Sequence, residues 1–473
     1  MKSDWYRRLQ SVLAGPAGVV VPLLVVLPLA LSSASFNEIT GTGSGATLQK
    51  LAVVVGTLIV ALLLGIRVPP LPVWLLAGAV AVAYIVGLIT EARGISGFDA
   101  DMLFGAAGLI YPWLVFFIDW RKLAPFWRTL PLAVAPLLAI VVSSVAELTG
   151  ALDLTLIRQE YTGAARLSAG MPPAFLAGLS LMAVGASMLI WATKHWIGFY
   201  LAVINVAIVA LTGTRMATAA AGLVFVCMLV VGVVRRYPHW IAGLVVTVVA
   251  AVGGGVYIIP NFLQRIAGAS GGGTLQGSGR ELAWAYFFQR FLERPLTGFG
   301  PGSGPLLAEQ AGSHVVRDFF VSPHNTYLTM AVDLGAILGL VFFGALIWLF
   351  VVIWRRLGRD LRWLMLVFAI ATLIYAGFDN LLTAPQSAVA FCVFLALMWS
   401  SAGDQAATAS ESDDGVAPSE APAHRPAAAS PRREYRARQP RRMSASGDHT
   451  APQPRESSVP YGGFRNGPLV AAS

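Results

Sequence analysis

Residues 322–340 read SPHNTYLTMAVDLGAILGL, a polar start followed by an apolar, glycine-spaced segment that continues to about residue 353. A helix needs roughly 20 predominantly apolar residues to cross the hydrocarbon core of a bilayer. The run at 325–353 is therefore long enough to span a membrane. His324 lies at the head of this run, so a titratable group is expected where the helix meets water.

The whole chain shares this apolar character. Of its 473 residues, 56% are hydrophobic and 12% are charged, and the mean hydropathy is +0.69. This composition excludes a water-soluble domain. Cys227 and Cys392 both fall in apolar runs, which argues against a disulfide framework or a cysteine-based metal site. The net charge of +9 comes from short loops and a C-terminal tail, so membrane orientation explains it and no nucleic-acid partner is expected.

Apolar runs recur along the chain and predict an all-α, polytopic membrane protein of about 12 transmembrane helices. They lie at 17–35, 51–66, 73–90, 103–118, 129–146, 174–192, 196–212, 216–234, 240–259, 325–353, 363–378 and 386–401. The first run follows Arg7 and Arg8 and ends in small residues, which leaves a cleaved signal peptide as an alternative to a retained span.

The basic residues predict the orientation of these helices. With the N-terminus in the cytoplasm, segments such as DWRKLAPFWR and WRRLGRDLRW fall inside, and the short outer loops hold only Lys50, Arg93, Arg158 and Arg166. This distribution satisfies the positive-inside rule. Both termini are then cytoplasmic, whereas the GTR turn at 213–215, His324 and a long loop at 261–323 lie outside the cell.

The chain is expected to consist of a transmembrane domain, residues 1–401, and a tail, residues 402–473. The tail is rich in Ala, Pro, Ser and Arg and has almost no large apolar side chains. Such a segment cannot bury enough surface to offset the entropy of ordering, so disorder is expected there. Inside the predicted spans, Asp333 and Asp379 are the main ionisable residues.

Three residues of the predicted outer face are candidates for a binding or catalytic site. Arg215 opens a helix whose N-terminus points outward, and such a helix end together with an arginine can bind an anion. The alternative is that the arginine side chain extends to the lipid headgroups. Ser322 is the expected N-cap of the later helix, with His324 in its first turn as a neutral general base or a polar anchor. Arg280 opens GRELAWAYFFQRFLER, a predicted amphipathic helix on the membrane surface.

The following stretch, RPLTGFGPGSG, is a turn region with two possible roles. Its backbone N–H groups could bind an oxyanion, or the stretch could be a plain loop. Two arginines and a neutral histidine on one face suggest a substrate with a diphosphate and an acceptor that must lose a proton.

Three pieces of sequence carry a family resemblance. GTR opening a helix, then GRELAWAYFFQRFLERPLTGFGPGSG, then PHNTYLTMAVDLGAILGL resemble the O-antigen ligase and O-antigen polymerase superfamily over roughly 200–345. The resemblance implies the C-type fold of membrane-embedded glycosyltransferases and transfer of a glycan from an undecaprenyl diphosphate carrier to a lipid or glycan acceptor. It also implies that Arg215 and Arg280 bind the diphosphate and that His324 is catalytic, with inversion and without a metal or other cofactor. Asp333 stands where many relatives carry glutamate, and no role is assigned to it.

Several functions fit these motifs. A ligase transfers finished glycan to lipid A core, a polymerase joins repeat units on the carrier, and a third branch glycosylates protein hydroxyls. A lipid-linked oligosaccharide flippase or transporter is an alternative, but it is expected to carry cations through the depth of the membrane. A non-enzymatic scaffold would make the grouping of the three residues incidental.

Overall fold

A computed structural model describes residues 12, 15–41, 44–94, 98–159, 165–236 and 280–414. Within these ranges the protein is all-α apart from one antiparallel hairpin, β1 (Ile157–Gln159) and β2 (Ala165–Leu167). The predicted fold class is confirmed. The helices in chain order are α1 (Val20–Ala30), α2 (Ser33–Thr40), α3 (Gly45–Leu64), α4 (Leu71–Ile89), α5 (Ala100–Ile110), α6 (Pro125–Thr149), α7 (Pro173–Ala192), α8 (Ile197–Leu211), α9 (Arg215–Arg236), α10 (Arg280–Glu293), α11 (Gly304–Glu309), α12 (His314–Phe319), α13 (Thr326–Arg356), α14 (Arg359–Ala376) and α15 (Pro385–Asp414).

Eight helices in the described part of the chain are long and apolar enough to cross a membrane, or up to nine if the bent pair α1 and α2 is one span. The eight are Gly45–Leu64, Leu71–Ile89, Ala100–Phe117, Pro125–Thr149, Pro173–Ala192, Arg215–Gly232, Thr326–Arg356 and Pro385–Ala402. The protein is therefore a multi-pass membrane protein.

The eight or nine spans in the described part of the chain are fewer than the twelve that the sequence predicts. The run at 196–212 forms α8, which is shorter than a full span, and the run at 363–378 forms α14, whose first turn carries charged residues. The run at 240–259 lies outside the described residues. The last helix continues to Asp414, so the expectation that the tail is disordered from residue 402 was wrong for 402–414. The chain after it is also outside the described residues.

Helices α7 and α15 form the centre of the bundle. Nearly every side chain of α7 and of the first half of α15 is buried. Both helices carry apolar or small side chains around their whole circumference rather than on one face. This pattern is typical of a helix surrounded by protein. The two cysteines are free, and Cys392 is buried in α15.

Close contacts at glycines show which helix ends lie together. A Cβ at Gly232 of α9 would meet the ring of Trp191 at the end of α7, so α7 and α9 run parallel and begin at the same end. A Cβ at Gly178, near the start of α7, would meet the hydroxyl of Tyr375 and the side chain of Ser387. The starts of α7, α9 and α15 and the end of α14 therefore lie at one end of the bundle, here named the site face.

Helix α13 is broken at Gly335, where a segment of the long loop passes. Gly335 has φ +71°, and the N–H of Ala336 donates to the carbonyl of Pro295 at 2.7 Å. A Cβ at Gly335 would lie 2.3 Å from the carbonyl oxygen of Leu296. Only glycine combines this conformation with so close an approach of another backbone.

Candidate functional site

Arg280 and His324 meet on the segment Phe378–Asn380, which connects α14 to α15. Nη1 of Arg280 donates a hydrogen bond of 2.7 Å to the carbonyl of Phe378. Nδ1 of His324 lies 3.6 Å from Oδ1 of Asp379. Two of the three residues singled out in the sequence are thus brought together, by a segment to which sequence reasoning assigns no role.

His324 lies just before α13 rather than in its first turn. The helix begins at Thr326, and the side chain of Asn325 caps it by accepting from the N–H of Leu328 at 3.1 Å. The expectation that Ser322 caps this helix was wrong, because asparagine is an equally good cap and is closer to the helix. His324 itself adopts φ +50°, a left-handed turn that directs the chain into the cap.

Hydrogen bonds join the start of α13 to the end of α14. Oγ1 of Thr326 donates to the carbonyl of Asp379 at 2.7 Å and accepts from the N–H of Leu381 at 2.9 Å. The hydroxyl of Tyr327 donates to the carbonyl of Leu373 at 2.6 Å. These bonds hold His324 and Asp379 in a defined relative position.

The carboxyl group of Asp379 is buried and has a lowered pKa. Its residue is 3% exposed, and burial alone raises its pKa. The interaction with His324, the N–H of Asn380 and the charges of His324 and Arg280 together outweigh burial, so the pKa lies below its ordinary value. Asp379 is therefore ionised at neutral pH.

An ionised carboxylate beside Nδ1 determines the tautomer of the imidazole. Nδ2 of Asn380 lies 3.4 Å from the same ring nitrogen and donates to Oγ of Ser322 at 2.8 Å. The charged oxygen of Asp379 is the stronger acceptor, so in the neutral form of the imidazole the hydrogen lies on Nδ1 and the lone pair on Nε2. The histidine side chain is 25% exposed, which leaves the ring open to a substrate.

Helix α10 carries Arg280 and confirms the predicted helix. Nε1 of Trp284 donates to the carbonyl of Pro323 at 2.7 Å, which ties α10 to the residue before His324. Phe287 is fully buried against the short helices of the loop. The apolar face that was predicted to contact lipid is thus partly used to fix α10 against the bundle.

An apolar groove of about 540 Å³ lies between α10 and the start of α13. It begins beside Asn325, next to His324, and runs along both helices. Its lining residues are Trp284, Ala285, Phe288, Phe291, Asn325, Tyr327, Leu328 and Ala331. The groove could hold a hydrocarbon chain, with its polar end near Arg280 and His324.

Arg215 begins α9 on the site face, which confirms the predicted helix start. The turn before it contains Gly213 at φ +67°, and the side chain of Arg215 is exposed. Arg166 of β2 holds this turn by donating from Nη2 to Oγ1 of Thr214 at 3.0 Å and from Nε to the carbonyl of Thr212. In the sequence Arg166 is merely one basic residue of an outer loop, and nothing there indicates this contact.

The glycine-rich stretch after α10 is a plain anchored loop. The N–H of Gly300 donates to the carbonyl of Asp333, and those of Gly302 and Ser303 donate to its carboxylate at 3.0 and 3.1 Å. Oγ of Ser303 donates to the same carboxylate at 2.6 Å. These N–H groups are occupied, so they do not form the oxyanion site considered above. Asp333 instead has a structural role.

Arg93 holds the same loop from the opposite side. Its Nη2 donates to the carbonyl of Pro301 at 2.6 Å, and its Nε lies 3.6 Å from the carboxylate of Asp99. Both ionic side chains are almost fully buried. The loop is therefore fixed between α13 and the connection from α4 to α5. Among the described residues, no group of three or more His, Cys, Asp or Glu side chains could hold a metal ion.

These features define a polytopic helical membrane protein with a cationic, histidine-containing site at one end of its bundle. Residues 200–343 match the family model described as O-antigen ligase, which supports the predicted resemblance to the O-antigen ligase superfamily. No curated protein matches the chain. The matched segment contains Arg215, Arg280 and His324, and it coincides with the predicted resemblance. The general function is that of a membrane glycosyltransferase of O-antigen ligase or polymerase type.

Proposed function

We propose that the protein transfers a glycan from undecaprenyl diphosphate to an acceptor hydroxyl at the outer face of the plasma membrane, in surface polysaccharide biosynthesis. The observation that carries the proposal is the convergence of Arg280 and His324 on the segment Phe378–Asn380. A guanidinium group suits phosphate oxygens, and an imidazole oriented by a carboxylate suits proton abstraction. Glycosyl transfer from a diphosphate requires both functions in one place.

The proposed reaction is a single displacement. Nε2 of His324 accepts the proton of the acceptor hydroxyl, and the carboxylate of Asp379 stabilises the imidazolium that forms. The acceptor oxygen attacks the anomeric carbon opposite the diphosphate, so the configuration inverts. The bond between that carbon and the phosphate oxygen breaks, and the diphosphate leaves with the electron pair. Arg215 and Arg280 stabilise this negative charge without a metal, a contribution of about 3 kcal/mol per well-placed donor.

The groove between α10 and α13 supports a lipid-linked donor. Its apolar lining and its position beside Asn325 suit an isoprenoid chain whose diphosphate reaches Arg280. Membrane lipids and a lipid or glycan acceptor complete the set of proposed partners. A lipid-linked oligosaccharide flippase has no use for the paired His324 and Asp379, which favours the transferase.

Charges at the other end of the bundle support the proposed orientation. The guanidinium groups of Arg67 and Arg356 lie 5.0 and 4.2 Å from the ring centroid of Trp399, near the end of the spanning part of α15. Basic residues concentrate on the cytoplasmic side of membrane proteins. The site face is then extracytoplasmic, and the N- and C-termini are cytoplasmic.

A glycan profile in the native host tests the proposal. Wild type is compared with His324→Ala and Arg280→Ala at matched protein levels, with His314→Ala, an exposed histidine of the same loop, as the control. Both site variants should accumulate carrier-linked glycan and lose the surface product, while the control behaves as wild type. Accumulated long chains identify a ligase, and single repeat units identify a polymerase. Unchanged glycan export and attachment in both site variants would reject the transferase.

A further inference from the structure

The hairpin β1–β2 connects to the turn that presents Arg215. Its register places Arg158 directly opposite Arg166. The side chain of Arg166 reaches out of the hairpin to the turn between α8 and α9, where it contacts both residues that flank Gly213, at Oγ1 of Thr214 and at the carbonyl of Thr212. One guanidinium group thus bridges the two sides of a single turn.

The turn before Arg215 is held by its own hydrogen bonds and by Arg166. Gly213 has φ +67° and no side chain, so by itself it allows many backbone directions. Inside the turn, the N–H of Thr214 donates to Oγ1 of Thr212 at 3.3 Å, and the carbonyl of Thr214 accepts from the N–H of Thr218 at 3.0 Å. Arg166 adds two contacts from outside the turn, one to Thr212 and one to Thr214, the residue immediately before Arg215.

We infer that Arg166 is a positioning residue for Arg215, which it holds in place to bind the diphosphate of a lipid-linked substrate. The inference rests on the proposed function. The planar fork of arginine donates to two acceptors in a fixed geometry, which an ammonium group cannot do. Arg158, its cross-strand neighbour, is exposed and carries the same charge, so it separates the effect of position from the effect of charge.

The test measures binding of farnesyl diphosphate, a short isoprenyl diphosphate, to the full chain in lipid nanodiscs, with farnesol as the uncharged reference. Arg166→Met should weaken farnesyl diphosphate binding by about tenfold, the range expected for hydrogen bonds to a charged group. Arg166→Lys should recover part of the loss, and Arg158→Met should change the affinity by less than about twofold. Farnesol binding should not change in any variant.

A double variant decides whether Arg166 acts through Arg215. If it does, Arg166→Met combined with Arg215→Met binds no more weakly than Arg215→Met alone, because the residue that Arg166 positions is already gone. Losses that multiply in the double variant would overturn the inference. If Arg166→Met does not fold, Thr214→Val removes only the hydroxyl that Arg166 contacts and should produce a smaller loss of the same kind.

The proposed function can fail separately from this inference. If wild type binds farnesyl diphosphate no better than farnesol, the diphosphate role of Arg215 is wrong. Wild type, Arg166→Met, Arg166→Lys, Arg215→Met and the double variant are then compared by surface glycan in the native host. Equal loss in Arg215→Met and in the double variant, with partial recovery in Arg166→Lys, still supports positioning, whereas independent losses reject it.

Discussion

The carboxylate of Asp379 lies 3.6 Å from Nδ1 of His324, and a hydrogen bond from Thr326 to the backbone of Asp379 holds the two residues together. The histidine precedes α13 and the aspartate follows α14, so antiparallel packing of these helices creates the pair. In the proposed reaction, this arrangement orients the imidazole and stabilises its charged form during proton transfer. It provides the first prediction.

Asp379→Asn should lower kcat about 100-fold or more, because the amide keeps the shape of the carboxylate but stabilises neither the required tautomer nor the imidazolium. The measurement is the initial rate of glycan transfer by the chain in nanodiscs. Asp153→Asn, at an exposed aspartate, is the control and should retain wild-type activity. An active Asp379→Asn variant would show that the pair does not take part in proton transfer.

The lowered pKa of Asp379 predicts how stability depends on pH. The native state favours the ionised carboxylate, so its contribution is complete above the unfolded-state pKa of about 4 and is lost as the pH falls through the lower native pKa. Unfolding midpoints of wild type and Asp379→Asn should therefore converge as the pH is lowered below about 4. Midpoints that differ equally at all pH values would contradict the lowered pKa.

Gly335→Ala should destabilise the protein by about 2 kcal/mol or more, because alanine is strained at positive φ and its Cβ would overlap the carbonyl of Leu296. The measurement is thermal unfolding of the purified chain. Gly344→Ala in the same helix has open space around the new methyl group and should be neutral or slightly stabilising. Equal midpoints for both variants would mean that the loop does not pass as closely as described.

Asp333→Ala should release the glycine-rich loop. The change leaves the half-buried N–H group of Gly302 and the buried N–H group of Ser303 without their acceptor, at a cost of up to about 1–3 kcal/mol for each group. Amide hydrogen exchange at these two residues should accelerate, whereas Asp101→Ala, at an exposed residue of α5, should leave it unchanged. Unaltered exchange in Asp333→Ala would show that Asp333 does not anchor the glycine-rich loop.

Ala285→Trp should fill the groove between α10 and α13 and raise the KM for a lipid-linked donor by about tenfold, with a smaller effect on kcat. The rate is measured against donor concentration in nanodiscs. Leu282→Trp, at an exposed position of the same helix outside the groove lining, is the control. A KM unchanged in Ala285→Trp would show that the lipid chain binds elsewhere.

Local sequence determined the class of fold and several helix starts. Apolar runs of sufficient length predict membrane helices because the bilayer core offers no partner for exposed backbone groups. The starts at Arg215 and Arg280 were predicted correctly, since a glycine that interrupts the helical pattern lies two residues before the first and one residue before the second. The start of α13 was placed too early because Ser322 and Asn325 are both good caps.

The candidate site was predictable only in part. The order of motifs and their charges indicated Arg215, Arg280 and His324, and the family match includes all three. Their partners were not predictable, because Asp379 and Arg166 reach the site through packing between distant segments. Asp379 did give one signal, since a carboxylate at the end of an apolar run requires a partner.

The sequence by itself determined that this chain enters a membrane and that its cationic residues and histidine lie at helix ends, because hydrophobic length and helix-capping chemistry are local properties. The tertiary structure decided which of these residues meet. The end of α14 lies beside the start of α13, and the hairpin lies beside the start of α9. Those contacts depend on side-chain packing and on glycine positions such as Gly335. There the backbone of Leu296 lies so close that it would overlap a methyl group on residue 335.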